Sequence, residues 1–210
     1  MHPQSIFNEY YAKTFFTTQH TFAYFFAKDF IGSYNDFKQR IDEIQSVINI
    51  KGLDEQKQNI INKLSYINII TSLDTFICDI ILTKIIQDEE SFNNFFNSIP
   101  PCKKKDEMTK LKEDNLVAQW EQKVIEYVMR TSYSNIDTIK DILKELFKVS
   151  IIDTNGKMKK HFYYRNLLAH RNGRKKDGGY INITNEELKS LITDTQSIAK
   201  QIQTKIKPEH

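Results

Sequence analysis

The sequence predicts an all-α fold, and three observations support this prediction. Apolar residues recur every three to four positions through most of the chain, which is the period of an amphipathic helix. Only six glycines and four prolines occur in 210 residues, fewer than the frequent turns of an all-β protein require. Hydrophobic residues make up 40% and charged residues 27% of the chain, which is typical of a globular protein with one core. We therefore expect a bundle of long antiparallel helices.

The first fifty residues predict an aromatic-rich helical extension packed on the rest of the protein. Within residues 1–50, the segment 5–30 is dense in Phe and Tyr and predicts one long buried helix, or two joined near Thr17. Gly32 and Ser33 are expected to break this helix, because glycine and serine disfavour helix interiors. A separate amphipathic helix is predicted from residue 34 to residue 48.

Residues 51–210 predict a second helical domain. Its strongest helical pattern runs from Asp54 to Gln87, about nine turns with a 3.6-residue period. A short helix at 91–97 follows, and the lysine- and acid-rich segment at about 100–115 predicts a connector loop. Further helices are predicted at 116–129, at 136–147, at 158–171 with a stop at Asn172-Gly173, and from a capping box at Thr184 to about residue 206.

Several classes of function are excluded by the residues that the sequence lacks. The cysteines, Cys78 and Cys102, form no CxxC motif, which excludes a disulfide scaffold and a cysteine-rich zinc site. Phosphate-binding glycine loops, HExxH and GxSxG are also missing, so no metal and no cofactor is predicted. The first residues lack a signal peptide, and no apolar run approaches the roughly 20 residues of a membrane span. These features predict a soluble cytoplasmic protein with no membrane partner.

Positive charge is concentrated in one segment. The chain has 30 basic and 27 acidic residues, and eight of the basic ones lie between Lys157 and Lys176 without an acid among them. A local basic patch is the usual electrostatic sign of a phosphate-bearing partner, although it can also be a solvated helix face. We predict that the partner is single-stranded RNA and that its phosphates contact Lys160, Arg171, Arg174, Lys175 and Lys176.

Arg165 and His170 lie inside this basic segment and suit metal-free RNA cleavage. A histidine can take the proton from a ribose 2′-hydroxyl near neutral pH, and an arginine can stabilise the pentacoordinate phosphate that follows. DNA lacks that hydroxyl and could not react in this way. On an ideal helix, five residues turn by about 500°, so the two side chains point roughly 140° apart. A two-fold dimer that faces this helix against its mate would bring both groups together, which makes a homodimer part of the prediction.

Structural roles for the same residues stay open at this stage. His170 could cap the C-terminal carbonyls of its helix, and Arg165 could form a salt bridge to Asp74 or Asp79. Asn166 could orient Arg165 or have no such role.

Three neighbouring residues have their own alternatives. His161 is expected at the surface, with substrate contact as the other reading. Tyr163 and Tyr164 are expected to pack in the core or a dimer interface rather than stack on bases.

The segment around Arg165 resembles the HEPN superfamily. The signature of that superfamily is an arginine, usually followed directly by a polar residue, and then a histidine that is separated from the arginine by four to six residues. Arg165, Asn166 and His170 match it. The segment is most similar to the bacterial branch labelled RiboL-PSP-HEPN or MAE_28990-like, with the likeness covering residues 55–97 and 140–205. The matching strings are His170-Arg171-Asn172-Gly173, Ile183 to Leu188, and Ser72 to Asp79.

The resemblance implies a HEPN-type helical bundle with its dimer interface at the motif helix. It implies a metal-independent endoribonuclease that uses Arg165, Asn166 and His170, often as a toxin or in antiphage defence, with an antitoxin or defence-complex partner. Asp74 and Asp79 would support the basic pair from the upstream helix, or would simply be exposed; the family commonly has glutamate at the first of these positions. The residue at 172 is asparagine, so control by AMP transfer to a tyrosine there is not implied. The alternatives are a non-catalytic HEPN module that binds RNA or a protein partner, and a structural helical dimer in a larger defence complex.

Overall fold

The computed structural model describes residues 30–87 and 89–206. This part of the chain contains eight α-helices and one short 3₁₀ turn, without a β-strand, so the all-α prediction is confirmed. The helix predicted at 5–30 lies outside the described residues, apart from Phe30. The helices are α1 (Phe30–Ile48), α2 (Glu55–Gln87), α3 (Glu89–Ser98), α4 (Lys103–Glu113), α5 (Val117–Arg130), α6 (Ile136–Phe147), α7 (Lys157–Arg171) and α8 (Asn185–Lys205).

The 33-residue helix α2 is the centre of the bundle. The helices α1, α3, α5, α6, α7 and α8 all pack against it. Its apolar side chains point to several sides, and Ile69, Leu73, Ile77, Ile81 and Ile85 are fully buried. A helix that is apolar on most sides must be covered on most sides, because each buried aliphatic side chain stabilises the fold by about 1.5–3 kcal/mol. The isoleucine-rich sequence of α2 therefore specifies its central position.

The predicted helix break at Gly32 and Ser33 is wrong. Helix α1 runs through both residues. Ser33 is buried in line with Phe37 and Ile41, and these three residues form the inner stripe of α1. The propensity cost of a glycine in a helix is about 1 kcal/mol. Burial of Phe37 against the ring of Phe76 on α2 outweighs that cost.

The predicted connector loop at about 100–115 is also wrong, because residues 103–113 form helix α4. Three consecutive lysines at a helix start oppose the helix dipole, which favours a loop reading of the sequence. In the structure, Lys105 donates to the carbonyls of Asn97 and Ile99 near the end of α3. Met108 is buried, and the ammonium of Lys112 lies 4.5 Å from the centre of the Trp120 ring. Tertiary contacts therefore determine this helix.

Helix α7 is held on α2 and α8 by an inner face that buries Met158, Phe162 and Leu168. It ends at Asn172, which has the left-handed conformation with φ 49°, and the next residue, Gly173, has φ 80°. Few residues other than glycine and asparagine adopt this conformation without strain, so the predicted helix stop is confirmed.

Helix α8 begins with the predicted capping box. The hydroxyl of Thr184 accepts from the backbone N–H of Glu187, and the Glu187 carboxylate accepts from the backbone N–H of Thr184. Two otherwise unpaired backbone donors are satisfied in this way. The box fixes the point where the chain returns to the bundle after α7.

Neither cysteine forms a disulfide. Cys102 is exposed, whereas Cys78 lies half-buried on α2, where burial raises the pKa of its thiol to about 12. Among the described helices, none combines the length and the apolar character that crossing a membrane requires.

Candidate functional site

The C-terminal half of α7 positions the predicted pair Arg165 and His170. Arg165 is partly buried, and His170 is exposed in the last turn of the helix. Because α7 is a regular α-helix from Lys157 to Arg171, the two side chains leave it about 140° apart. Within one chain the structure does not bring the guanidinium and the imidazole together.

Asn166 is exposed beside Arg165, and its side-chain oxygen accepts a hydrogen bond of 3.2 Å from Arg165 Nη1. This contact fixes one end of the guanidinium. The Nε atom of Arg165 is buried and has no hydrogen-bond partner in the described part of the protein. A buried donor without a partner costs about 1–3 kcal/mol, and within the described residues Asn166 is the one hydrogen-bond partner of this guanidinium.

Asp74 of α2 lies near Arg165, but the two form no ion pair. The Asp74 carboxylate accepts from the backbone N–H of Tyr133, which anchors it to the segment between α5 and α6. Burial raises the pKa of Asp74, while that hydrogen bond and the positive charge of Arg165 act in the opposite direction. Arg165 is therefore influenced by a nearby acid without being neutralised by direct contact.

A cleft of about 240 Å³ opens beside Asp74. Asp79, also partly buried on α2, lies on its wall together with Cys78, and Met129 and Tyr133 close the other side. The two aspartates of the upstream motif therefore line one cavity at the junction of α2 with α5.

The basic residues between 157 and 176 divide into two groups. Lys157 pairs with Asp194 of α8 at 3.3 Å, and Lys159 pairs with Asp137 of α6 at 2.8 Å. The Lys160 ammonium lies over the ring of Tyr164, 5.1 Å from its centre. Within residues 30–87 and 89–206, no carboxylate pairs with Lys160, Arg171, Arg174, Lys175 or Lys176. These five are the residues that the sequence predicts as phosphate contacts.

The segment after α7 is a short hairpin over residues 173–181, which we call the basic hairpin. Arg174 and Tyr180 are paired across it in antiparallel fashion. The backbone N–H of Lys175 donates to the Gly179 carbonyl at 2.8 Å, and the N–H of Ile181 donates to the Gly173 carbonyl at 2.9 Å. The lysine and arginine side chains of this segment therefore stand on an ordered turn at the end of the motif helix.

His161 is not at the surface, contrary to the sequence-based expectation. It is only 6% exposed, and its Nδ1 and Nε2 atoms lie 2.7 Å from the Tyr66 hydroxyl and 3.1 Å from Asp194 Oδ2. A carboxylate can only accept, so Nε2 carries the proton and Nδ1 accepts from Tyr66. The helical period of α7 contains the signal for this position, since His161 lies on the same stripe as the buried Met158 and Leu168.

The tyrosines of α7 differ from one another. Tyr164 is partly buried, with its ring centre 6.4 Å from that of Tyr66, so it contributes to packing between α7 and α2. Tyr163 is 50% exposed and contacts Tyr164 at the helix surface.

An all-α bundle with an arginine, an asparagine and a histidine at one end of a helix is the arrangement of a HEPN-type protein. The sequence profile of the RiboL-PSP-HEPN family matches residues 35–208. The chain therefore belongs to the RiboL-PSP-HEPN family. The match begins inside α1, and the predicted domain boundary near residue 50 stays a prediction. No curated protein and no solved structure shows significant similarity to the chain.

Proposed function

We propose that the protein is a metal-independent endoribonuclease whose active site forms between two copies of the chain. His170 is the acid–base group, Arg165 the ligand of the reacting phosphate, and Asn166 the group that orients Arg165. Membership of a HEPN-type family supports a nuclease or RNA-related role in general. The finer assignment rests on the residues of α7.

The observation that carries this proposal is the state of the Arg165 guanidinium. It is partly buried and donates to Asn166, yet it forms no ion pair within the described structure. A structural arginine in a helical bundle is normally paired with a carboxylate. A phosphate group bound at the accessible part of the guanidinium would balance this charge.

The reaction follows from these two side chains. His170 removes the proton from a ribose 2′-hydroxyl, and the 2′-oxygen bonds to the adjacent phosphorus. Arg165 stabilises the charge of the pentacoordinate state. The bond from phosphorus to the 5′-oxygen then breaks, and that oxygen takes a proton, from an imidazolium or from water. The products are a 2′,3′-cyclic phosphate and a free 5′-hydroxyl.

The geometry of α7 supports the homodimer in this proposal. One regular helix directs Arg165 and His170 to different sides. Two motif helices related by a two-fold axis would place the arginine of one copy near the histidine of the other. The activity would act on cytoplasmic RNA, as a toxin or in antiphage defence, under the control of an antitoxin or another component of the defence complex.

The test is cleavage of a single-stranded RNA by the purified full-length protein in the presence of EDTA. We expect products that end in 2′,3′-cyclic phosphate, and no cleavage of the DNA of the same sequence. His170→Ala should abolish cleavage while RNA binding persists, which separates the enzyme from a contaminating nuclease.

Arg165→Lys serves as the matched variant for the arginine. Lysine retains the charge but not the planar fork that binds two phosphate oxygens, so we expect a folded protein with greatly reduced cleavage. An Arg165→Lys protein that cleaves as well as the unmodified protein would contradict the proposed role. A chain that binds RNA but never cleaves it would instead support the non-catalytic HEPN module.

A further inference from the structure

We propose that the basic hairpin holds an unpaired stretch of the RNA substrate, with the ring of Tyr180 stacked on a base and Arg174 on a neighbouring phosphate. This inference rests on the proposed RNA substrate. It adds a binding residue, Tyr180, that neither the motif nor the charge pattern indicates.

Arg174 and Tyr180 are presented together by the backbone. Their pairing is of the narrow, non-hydrogen-bonded kind, because the flanking bonds join Lys175 to Gly179 and Ile181 to Gly173. Side chains of such a pair lie on the same face, with Cα atoms about 4.5 Å apart. A cation and an aromatic ring therefore project side by side, as needed to bind one nucleotide by its phosphate and its base.

Tyr180 has no evident structural role for its ring. It is 63% exposed, and its ring and hydroxyl have no partner in the described part of the protein. Tyr66 and Tyr133 provide the contrast, since both are buried and hydrogen-bonded through their hydroxyls. A large exposed ring beside unpaired cations is typical of a surface that stacks on nucleic-acid bases.

The hairpin is fixed to the end of the motif helix. Its base is anchored by the buried side chains of Ile181 and Ile183. Gly173 also packs closely on the motif helix, because a Cβ atom placed on this glycine would lie 3.3 Å from Leu168 Cδ2. At the tip, Gly178 has φ 87° and its N–H donates to the Lys175 carbonyl. Because the turn is already ordered, little conformational entropy is lost when a ligand binds.

The same geometry favours unpaired RNA over a duplex. Bases in an RNA helix are stacked on each other, and the groove exposes their edges rather than their faces. Away from its ends, such a helix offers the Tyr180 ring no base face on which to stack. His170 lies three residues before Gly173, so the nucleotide held by the hairpin would be close to the proposed scissile bond.

The experiment measures RNA binding separately from cleavage. The full-length His170→Ala protein is titrated with a fluorescently labelled uridine oligomer of about 12 nucleotides, and with the same strand annealed to its complement. Tyr180→Val, added to this background, retains the strand preference of the hairpin but removes the ring. We expect its affinity for the single strand to fall about fivefold to a hundredfold, which corresponds to roughly 1–3 kcal/mol for one stacked base.

Three further variants sharpen the result. Tyr180→Phe retains the ring, so its affinity should stay close to that of the parent. Arg174→Ala should weaken binding and reduce the slope of log K against log salt by about one. Lys200→Ala removes an exposed charge on α8, away from the hairpin in sequence, and should bind like the parent. Thermal unfolding of each variant checks that the fold is retained.

The inference is overturned if Tyr180→Val binds the single strand as well as the parent, or if binding to single strand and duplex falls equally. It can be separated from the proposed function. Loss of single-strand affinity in Tyr180→Val supports the hairpin even if the unmodified protein never cleaves RNA. Conversely, normal binding by Tyr180→Val overturns the hairpin even where His170→Ala has abolished cleavage.

Discussion

Two histidines on α7 have opposite environments. His161 is buried, and both ring nitrogens have partners on other helices, Tyr66 of α2 and Asp194 of α8. His170 is exposed nine residues later, without a hydrogen-bond partner in the described structure. The first joins three helices, and the second is available to an external ligand. Residue type alone therefore does not identify a functional histidine. The side of the helix on which the histidine lies and the partners of its ring nitrogens distinguish the two.

The strongest test of this contrast is His170→Ala. Because the His170 side chain is exposed and has no hydrogen-bond partner among the described residues, the free energy of unfolding should change by less than about 0.5 kcal/mol. RNA cleavage should fall by about a hundredfold or more, because general acid–base catalysis contributes at least that factor. Urea unfolding and a cleavage assay on the same preparation measure both. A large loss of stability would instead indicate a structural role as a helix cap.

His161→Ala should give the reverse pattern. It leaves a cavity and removes the acceptor of the buried Tyr66 hydroxyl, so we expect the free energy of unfolding to fall by about 2–4 kcal/mol. Cleavage should persist at temperatures where the variant is folded. Tyr66→Phe is the matched control, since it removes the same hydrogen bond without the cavity and should cost less. An equal loss of unfolding free energy in His161→Ala and Tyr66→Phe would contradict the prediction that the cavity adds to the cost.

The stability of the protein should also depend on pH through His161. Burial lowers the pKa of this imidazole below its ordinary value of 6.5. The positive charges of Lys160 and Lys157 lower this pKa further, whereas Asp194 raises it. At a pH between the lowered pKa of the folded state and the ordinary pKa of the unfolded state, His161 is protonated in the unfolded chain but not in the folded chain. Stability is therefore full above about pH 6.5 and falls as the pH drops below that value. Urea unfolding over this range should show that the free energy of unfolding depends less on pH in His161→Ala than in the unmodified protein. The same pH dependence in both proteins would contradict the assignment to His161.

The smallest expected effect distinguishes the two groups of basic residues on α7. Arg171 has no carboxylate partner in the described structure, whereas Lys159 pairs with Asp137. We expect Arg171→Ala to weaken RNA binding severalfold and reduce the salt slope by about one. Lys159→Ala should change binding less, because its charge is already balanced. Fluorescence titrations at several salt concentrations measure the difference, and equal slopes would mean that ion pairing does not select the phosphate contacts.

Local signals in the sequence were sufficient for most of the fold. The capping box at Thr184 and the helix stop at Asn172-Gly173 depend on residues within one turn of each other. The long apolar pattern of residues 54–87 likewise needs no knowledge of distant residues. Elements whose cause is local were therefore predicted with their approximate bounds.

The remaining features depend on residues far apart in the sequence. The partners of His161 lie 95 and 33 residues away, and helix α4 depends on contacts to the end of α3 and to Trp120. Composition suggested a loop there because it cannot register such contacts. For the candidate site, the motif indicates Arg165 and His170. The lack of an ion pair at Arg165 within the described residues and the exposure of Tyr180 depend on the three-dimensional packing, which the motif does not contain.

The unequal cysteines have a practical consequence for the question of assembly. A thiol-reactive dye near neutral pH attacks the thiolate, so it should modify the exposed Cys102 and spare Cys78. Each polypeptide then carries one spectroscopic label at the start of α4. Energy transfer between donor- and acceptor-labelled molecules would report subunit association directly, without any substitution in the natural sequence.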